Sequence, residues 1–380
     1  MKVAAIICEY NPFHNGHKYQ LDEVRRICGK DTAIIALMSG SYVQRGDVAV
    51  FSKASRAAAA IQGGADLVLE LPVYYATQSA EFFAKGAVYL LNSLGFVDYL
   101  AFGAESANLP LIENIAELFC NEPPEFSDKL SELCNTGISF PAARAKTAGE
   151  ILGKDAAKLL NEPNNILAVE YCKALKALES PIKPLLIQRT GAMHHEQHAT
   201  NGIASATHIR SLISQRKTTE AFSYMPDFCS DIFKDEKART LKSMEKAIIA
   251  DIIKTDSEAL RKISDVGEGL ENRIKEKALT ANGIEELADA VKTKRYTHSR
   301  IRRILLSSYL GITAKDREFV PRYIRILAHS ETGQALIRKA KKASSMPLVR
   351  NTSQINRLND PIAKEIWERE RIFDLIYDLF

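Results

Sequence analysis

Four short apolar runs, each followed by a helical stretch, constrain the first hundred residues more than anything else in the chain. They are residues 3–9, 32–38 (Asp-Thr-Ala-Ile-Ile-Ala-Leu), 66–71 (Asp-Leu-Val-Leu-Glu-Leu) and 99–102 (Tyr-Leu-Ala-Phe). Each is too short for a buried helix and too continuously apolar for a half-exposed strand, so each predicts a strand covered on both faces. Helical periodicity fills the gaps. One helix runs from Asn15 to Ile27, one starts near Ser52 and ends at Gly63-Gly64, and one spans Thr77 to Leu94 before Gly95. Glycines at those points suit helix C-caps. The alternation predicts a parallel sheet with helices on both faces and a ligand site beyond the C-terminal strand ends. Between the second strand and the second helix lies a polar loop, Ser39 to Asp47. A mostly helical stretch follows over 108–178, then a fifth strand at 183–188 and a helix over Ala204–Gln215.

Past about residue 225 the strand signals fade. Charged helical periodicity continues, interrupted near Gly267, Gly283, Gly311, Gly333 and Pro347. The 380 residues therefore divide, in expectation, into an α/β Rossmann-like parallel-sheet domain (1–220) and an all-α C-terminal domain (221–380). Charge follows the same division. Residues 1–220 carry 21 Lys+Arg against 23 Asp+Glu, and residues 221–380 carry 30 against 24. Residues 291–350 alone hold 15 basic and 3 acidic side chains, the electrostatic footprint of a polyanion-binding surface.

Some classes drop out. No apolar run is long enough to span a membrane, and Glu9 breaks the N-terminal run too early for a signal peptide. The six cysteines (Cys8, Cys28, Cys120, Cys134, Cys172, Cys229) include no C-x-x-C pair. That pattern argues against a zinc site or a disulfide framework and for a reducing, cytoplasmic setting.

His14-Asn15-Gly16-His17 directly follows the first strand and opens the first helix. A helix N-terminus offers unpaired N–H donors and partial positive charge, which attract phosphate. A glycine there lets a nucleotide approach the backbone closely. Imidazoles three residues apart sit on one side of the first turn and reach the same phosphate oxygens. Placed donors of this kind stabilise a phosphoryl centre under attack without a nucleophilic side chain. A metal site fits less well: the only nearby carboxylate, Glu9, belongs to the strand. A second signature, Ile203 to Ser211, has Ser205 and Thr207 to cap a helix and Arg210 to reach a phosphate. In the polar loop and the helix after it, Gln44, Arg45 and Asp47 are candidates for a small-substrate pocket, with Lys53 and Arg56 beside them.

These signatures resemble the H-x-G-H nucleotidylyltransferase superfamily with its late S-S-T-x-I-R element. The likeness extends along the chain. Cys8-Glu9-Tyr10-Asn11-Pro12-Phe13-His14-Asn15-Gly16-His17, Ser41-Tyr42-Val43-Gln44-Arg45-Gly46, Phe102-Gly103-Ala104-Glu105, Pro163-Asn164-Asn165-Ile166-Leu167, Gln188-Arg189-Thr190-Gly191-Ala192 and Arg295 to Arg303 together resemble the tRNA(Met) cytidine acetate ligase family. One departure stands out: Ala206 stands where the superfamily usually shows Ser, and His208 falls on its variable position.

The resemblance implies an ATP-dependent ligase. It would form acetyl-adenylate from ATP and acetate, then pass the acetyl group to N4 of the wobble cytidine of elongator tRNA(Met), giving N4-acetylcytidine. Carried over residue by residue, the catalytic groups are His14, His17 and Arg210. The nucleotide site comprises Ile7, Cys8, Glu9, Tyr10, Asn11, Pro12, Phe13, His14, Asn15, Gly16, His17, Lys18, Tyr19 and Gln20, together with Gly103, Asn164, Arg189 and Thr207. No protein metal ligands are implied; Mg2+ is expected on the triphosphate. Lys292, Lys294, Arg295, Arg300, Arg302 and Arg303 are the expected tRNA contacts, with Tyr296 able to stack on a base. The oligomeric state stays open. The alternative is a nucleotidylyltransferase acting on a small phosphorylated metabolite, which would not need so large a basic domain. An aminoacyl-tRNA synthetase fragment would carry a K-M-S-K-S-type signature, which is missing here.

Overall fold

A computed structural model describes residues 1–189 and 203–380. The strands are β1 (Val3–Cys8), β2 (Ala33–Ser39), β3 (Tyr42–Val43), β4 (Asp47–Val48), β5 (Leu67–Leu71), β6 (Tyr99–Ala104), β7 (Lys183–Gln188), β8 (Ile324–His329) and β9 (Leu348–Val349). Seven of them form one sheet in the order β7-β6-β1-β2-β5-β8-β9. Pairing is parallel from β7 to β5, β8 runs antiparallel to β5, and β9 runs parallel to β8. The five strand segments read from sequence all lie in this sheet. The polar loop is less irregular than expected, because β3 and β4 pair within it as a small antiparallel hairpin. The expected helix over Thr77–Leu94 is present as Ala80–Ser93, preceded by a separate single turn, Val73–Ala76.

Alternation along the strands builds two cores. Val3, Ala5, Ile35, Leu37 and Leu69 face one layer with Phe83, Leu91, Ile112 and Leu175. Ala4, Ile6, Ile34, Ala36 and Met38 face the other, against Leu21, Val24, Ala57, Ala60 and Ile209. A third core joins the helices beyond residue 240, through Met244, Ile248, Leu287, Ile301, Leu305 and Trp367. It also takes in Tyr42, Val43 and Val48 of the hairpin and Tyr74.

The α/β class and the helical C-terminal region stand, but residues beyond 220 also contribute β8 and β9 to the sheet. The expectation that strands end near 225 fails because Arg325 breaks the apolar pattern of β8. That guanidinium is not an outward charge. It lies 3.2 Å from Glu70 and 3.4 Å from Asp374, above the Trp367 ring. Lys53 completes the group, at 2.6 Å from Glu70 and 2.5 Å from Asp374. Lys53 is therefore committed to structure, and so is Arg56, which is fully buried. Arg56 donates to the carbonyls of Phe51, Glu9, Ser39 and Gly40, tying the ends of β1 and β2 together.

The C-terminal helix Pro361–Asp378 brings a further buried carboxyl, Glu370, which accepts from the Val73 N–H at 2.9 Å. Burial, with the Glu70 charge adding to it, pushes the Glu370 pKa up to about 8. An unfolded glutamate titrates near 4.3, so between those values the folded chain holds a proton that the unfolded chain has lost. This contribution to stability is complete below about pH 4 and is lost as the pH rises through 8. Thermal unfolding should accordingly show the wild-type Tm falling between pH 5 and 8. Glu370→Gln should flatten that fall, and parallel profiles would contradict a protonated Glu370.

Candidate active site beyond the first strand

After β1, residues Glu9 to Phe13 form a tight turn that includes a cis Asn11–Pro12 peptide, and the helix Asn15–Cys28 begins. His14 is its N-cap, in an extended conformation (φ −146°). The His14 Nδ1 accepts from the Gly16 N–H at 3.1 Å, and the His17 Nδ1 accepts from the His14 N–H at 3.2 Å. This is a capping box in which two imidazoles take the places usually held by a hydroxyl and a carboxylate. The rings stack with centroids 3.7 Å apart. Tyr10 packs edge-on against His17, and Phe13 lies beside it.

The arrangement fixes the protonation chemistry. With each Nδ1 used as an acceptor, the single proton of each neutral ring sits on Nε2. Burial, then the nearby Arg189 and Arg210 charges, pushes the His14 pKa down to about 3. Burial and the facing His14 ring hold His17 well below the ordinary histidine range. Near pH 7 the site therefore offers two neutral Nε2–H donors. Gly16 has a role the sequence did not suggest: a β-carbon there would lie 2.9 Å from His14 Cε1, so the glycine makes room for the capping ring.

The rest of the turn is firmly held. Asn11 Oδ1 accepts from the Val50 N–H at 2.7 Å. Arg210 donates to the Asn11 carbonyl at 2.8 Å and to Thr207 Oγ1 at 3.2 Å. Its own helix, Ala206–Ser214, is capped by Ser205 through the His208 N–H. Ile7 and Cys8 end β1, and the Cys8 thiol points to the Leu37 carbonyl. Lys18 pairs with Asp22 at 2.5 Å, and Tyr19 and Gln20 are half-buried on the first helix.

Across the sheet edge, Gly103 and Arg189 sit side by side. Arg189 N–H bonds to the Ala104 carbonyl, and a β-carbon on Gly103 would come within 3.3 Å of Arg189 Cγ. Asn164 donates to Glu105 at 2.5 Å, and the same carboxylate takes the Asn165 N–H at 3.0 Å. Glu105 thus anchors the start of the helix Pro163–Ala177 and sets Asn164 in place. Sequence reasoning assigned Glu105 no role, although an acid matched to a helix start is a recognisable signal. Thr190, Gly191 and Ala192 lie outside the described residues.

The 41–48 loop joins this site to the basic region. Gln44 N–H bonds to Glu9 at 2.8 Å, and the Gln44 side chain to the Gln78 carbonyl at 3.1 Å. Asp47 pairs with Arg302 at 2.9 Å. Gly46 (φ +71°) lies directly on the backbone of Arg302 and Arg303, where no side chain fits. The six basic residues expected to contact tRNA separate into two kinds. Lys292, Lys294 and Arg295 are exposed, although Arg295 pairs with Glu268 at 2.8 Å. Arg300 donates to the Asp265 carbonyl and lies over the Tyr296 ring, Arg302 is tied to the loop, and burial pushes Arg303 down to about 10. Tyr296 is half-buried and donates to the Gly267 carbonyl, so its ring is already occupied by Arg300. Among the described residues no group of three potential metal ligands is gathered.

Comparison with known proteins follows this geometry. A model of the HIGH Nucleotidyl Transferase family matches residues 1–379. A tRNA(Met) cytidine acetate ligase of Acetivibrio thermocellus is 38% identical over 99% of this chain and 94% of its own length. Another, from a Thermoanaerobacter species, is 41% identical over 93% and 90%. The crystal structure of Thermotoga maritima TmcAL without ligand superposes with a TM-score of 0.91 at 32% identity, covering 98% of this chain and 92% of that one. The form of that protein bound with alpha-thio ATP gives 0.89 over the same shares. The chain therefore belongs to the HIGH nucleotidyl transferases and, among them, to the tRNA(Met) cytidine acetate ligase family.

Proposed function

We propose that this protein is an ATP-dependent acetate ligase. It forms acetyl-adenylate and transfers the acetyl group to N4 of the wobble cytidine of elongator tRNA(Met). The observation that carries the reading is the pair of imidazoles capping the first helix through Nδ1, which leaves both Nε2 atoms to carry N–H, with the Arg189 and Arg210 charges near His14. Triphosphate oxygens take those donors and the cationic field around them. An acetate oxygen attacks the α-phosphorus, the bond to pyrophosphate breaks, and acetyl-adenylate forms. The cytidine amine then attacks the acetyl carbonyl and AMP leaves.

His14 and His17 stabilise charge that grows on phosphate oxygens and need not take up a proton to do so. Arg210, braced on the Asn11 carbonyl, offsets the charge of the departing pyrophosphate. Gly103, Asn164 and Arg189 hold the adenosine end, with Glu105 fixing Asn164. A Mg2+ ion, if it accompanies the triphosphate, would be held by phosphate oxygens and water and would supply charge neutralisation, since Glu9 is already engaged by Gln44. The exposed Lys292 and Lys294 meet the tRNA backbone, and the cytoplasm is where such a substrate occurs. Residues 1–220 carry the chemistry and residues 221–380 the RNA contacts, with β8 and β9 tying the second part to the first.

The direct test incubates the protein with ATP, acetate and elongator tRNA(Met) transcript and looks for N4-acetylcytidine by nucleoside mass spectrometry. An acetyl mark on the wobble cytidine is expected. Pyrophosphate release that depends on a small phosphate ester, with no acetyl mark, would overturn the reading. Removing one placed donor in His14→Ala or His17→Ala should lower adenylate formation by about 10²–10³-fold.

The low histidine pKa values also fix a pH dependence. The unfolded chain takes up protons near pH 6.5, while folded His14 does so only near 3. The stability contributed by His14 is therefore present above 6.5 and is lost as the pH falls toward 3. His14→Asn, which keeps a cap acceptor, should make the fall in Tm between pH 7 and 4 shallower. An unchanged slope would contradict a buried neutral His14.

A further inference from the structure

A cleft of about 550 Å³ opens between the 41–48 loop and the start of the helix His298–Tyr309. Arg45 lines it from the loop side; Lys292, Lys294 and Arg302 line it from the basic region, with the Thr297 and Ser299 hydroxyls between them. Among the described residues no acidic side chain lines it. From this geometry we infer that the cleft seats a phosphodiester and ribose of the unpaired RNA strand beside the acceptor cytidine. The inference rests on the tRNA-acetylating reading above and adds a place and a chemistry to it.

Three observations converge. The first is charge. Four cations border one cleft, and an anion seated there would be attracted by each of them. Arg302 has a fixed carboxylate partner in Asp47, at 2.9 Å, which holds its guanidinium at the wall. Thr297 makes no side-chain cap bond, so the first-turn N–H groups of that helix also face an environment suited to phosphate.

The second is size. About 550 Å³ lies in the range of small-ligand sites and is far more than acetate needs. The third is position. Arg45 directly follows Gln44, whose N–H is bonded to Glu9 at the end of β1. A strand lying in the cleft would therefore lead toward the imidazole pair.

The lining also says what is read. Among the described residues it includes hydroxyls and cations but no Phe, Tyr or Trp, and the His298 ring is turned to Glu285 at 3.1 Å. Such a surface grips backbone and 2′-OH and leaves bases unread, so it positions the strand without specifying its sequence.

The test is a double-substitution cycle on binding, run with the full-length protein and elongator tRNA(Met). One arm replaces Lys292 and Lys294 by Met. The other replaces the phosphodiester next to the acceptor cytidine with an uncharged methylphosphonate. Each change alone should raise Kd about tenfold, the size of a charge-assisted contact, and the two together should raise it little further. Lys129→Met, on the helix Pro124–Asn135 and outside the basic region, should leave Kd unchanged.

Fully additive losses, or an equal loss with Lys129→Met, would overturn the inference. So would sensitivity to the identity of the neighbouring base without sensitivity to its phosphate. Because the readout is binding, the outcomes separate. Coupling without acetylcytidine formation sinks the acetyl-transfer reading alone, whereas acetylation without coupling sinks the cleft alone. Failure of the RNA to bind sinks both.

Discussion

The first turn of the helix Asn15–Cys28 has backbone N–H groups with no helical acceptor, and this chain satisfies them with imidazole nitrogens. That choice governs what surrounds it. A ring nitrogen can accept from the backbone only while it is unprotonated, so the rings must stay neutral. Burial and two nearby arginines keep them so. Neutral rings bound at Nδ1 must present N–H at Nε2. A single structural requirement, closing a helix end, thereby leaves two ring donors just past the C-terminal end of β1, the edge where a parallel sheet binds its ligand. Gly16 follows from the same requirement, because a side chain there would displace the capping ring.

The site is held from both parts of the chain. Arg56 gathers the carbonyls that follow β1 and β2, so the turn before His14 is fixed by a buried cation. Lys53, Glu70, Arg325 and Asp374 then bind the sheet to the C-terminal helix. Breaking one partner of such a buried group costs far more than a surface pair would return. The hairpin of β3 and β4 lies between these anchors. Its apolar residues belong to the helical core, while Gln44 touches Glu9 and Asp47 touches Arg302. The proposed nucleotide site and the basic region are thus joined by one short loop.

Much of this was legible in the chain. The apolar runs of β1, β2, β5, β6 and β7 are continuous because both faces of those strands are covered, and that signal is local. The H-x-G-H spacing places both rings on one turn by helix geometry alone. What escaped depends on partners distant in sequence. β8 reads as polar because Arg325 meets Glu70 across 255 positions and Asp374 across another 49. Lys53 and Arg56 read as surface cations because their acceptors are carbonyls and carboxylates supplied by other elements. Arg303 reads as a surface cation, although the fold largely removes it from solvent. The role of Glu105 in setting Asn164 appears only once the end of β6 meets the next helix.

The account turns on the protonation of two rings. The most direct measurement is ¹⁵N NMR of the imidazoles of His14 and His17 at neutral pH, with and without a non-hydrolysable ATP analogue. Both rings should be neutral with the proton on Nε2, and both Nε2 signals should shift when the nucleotide is added. Rings that are charged, protonated on Nδ1, or indifferent to the nucleotide would contradict it.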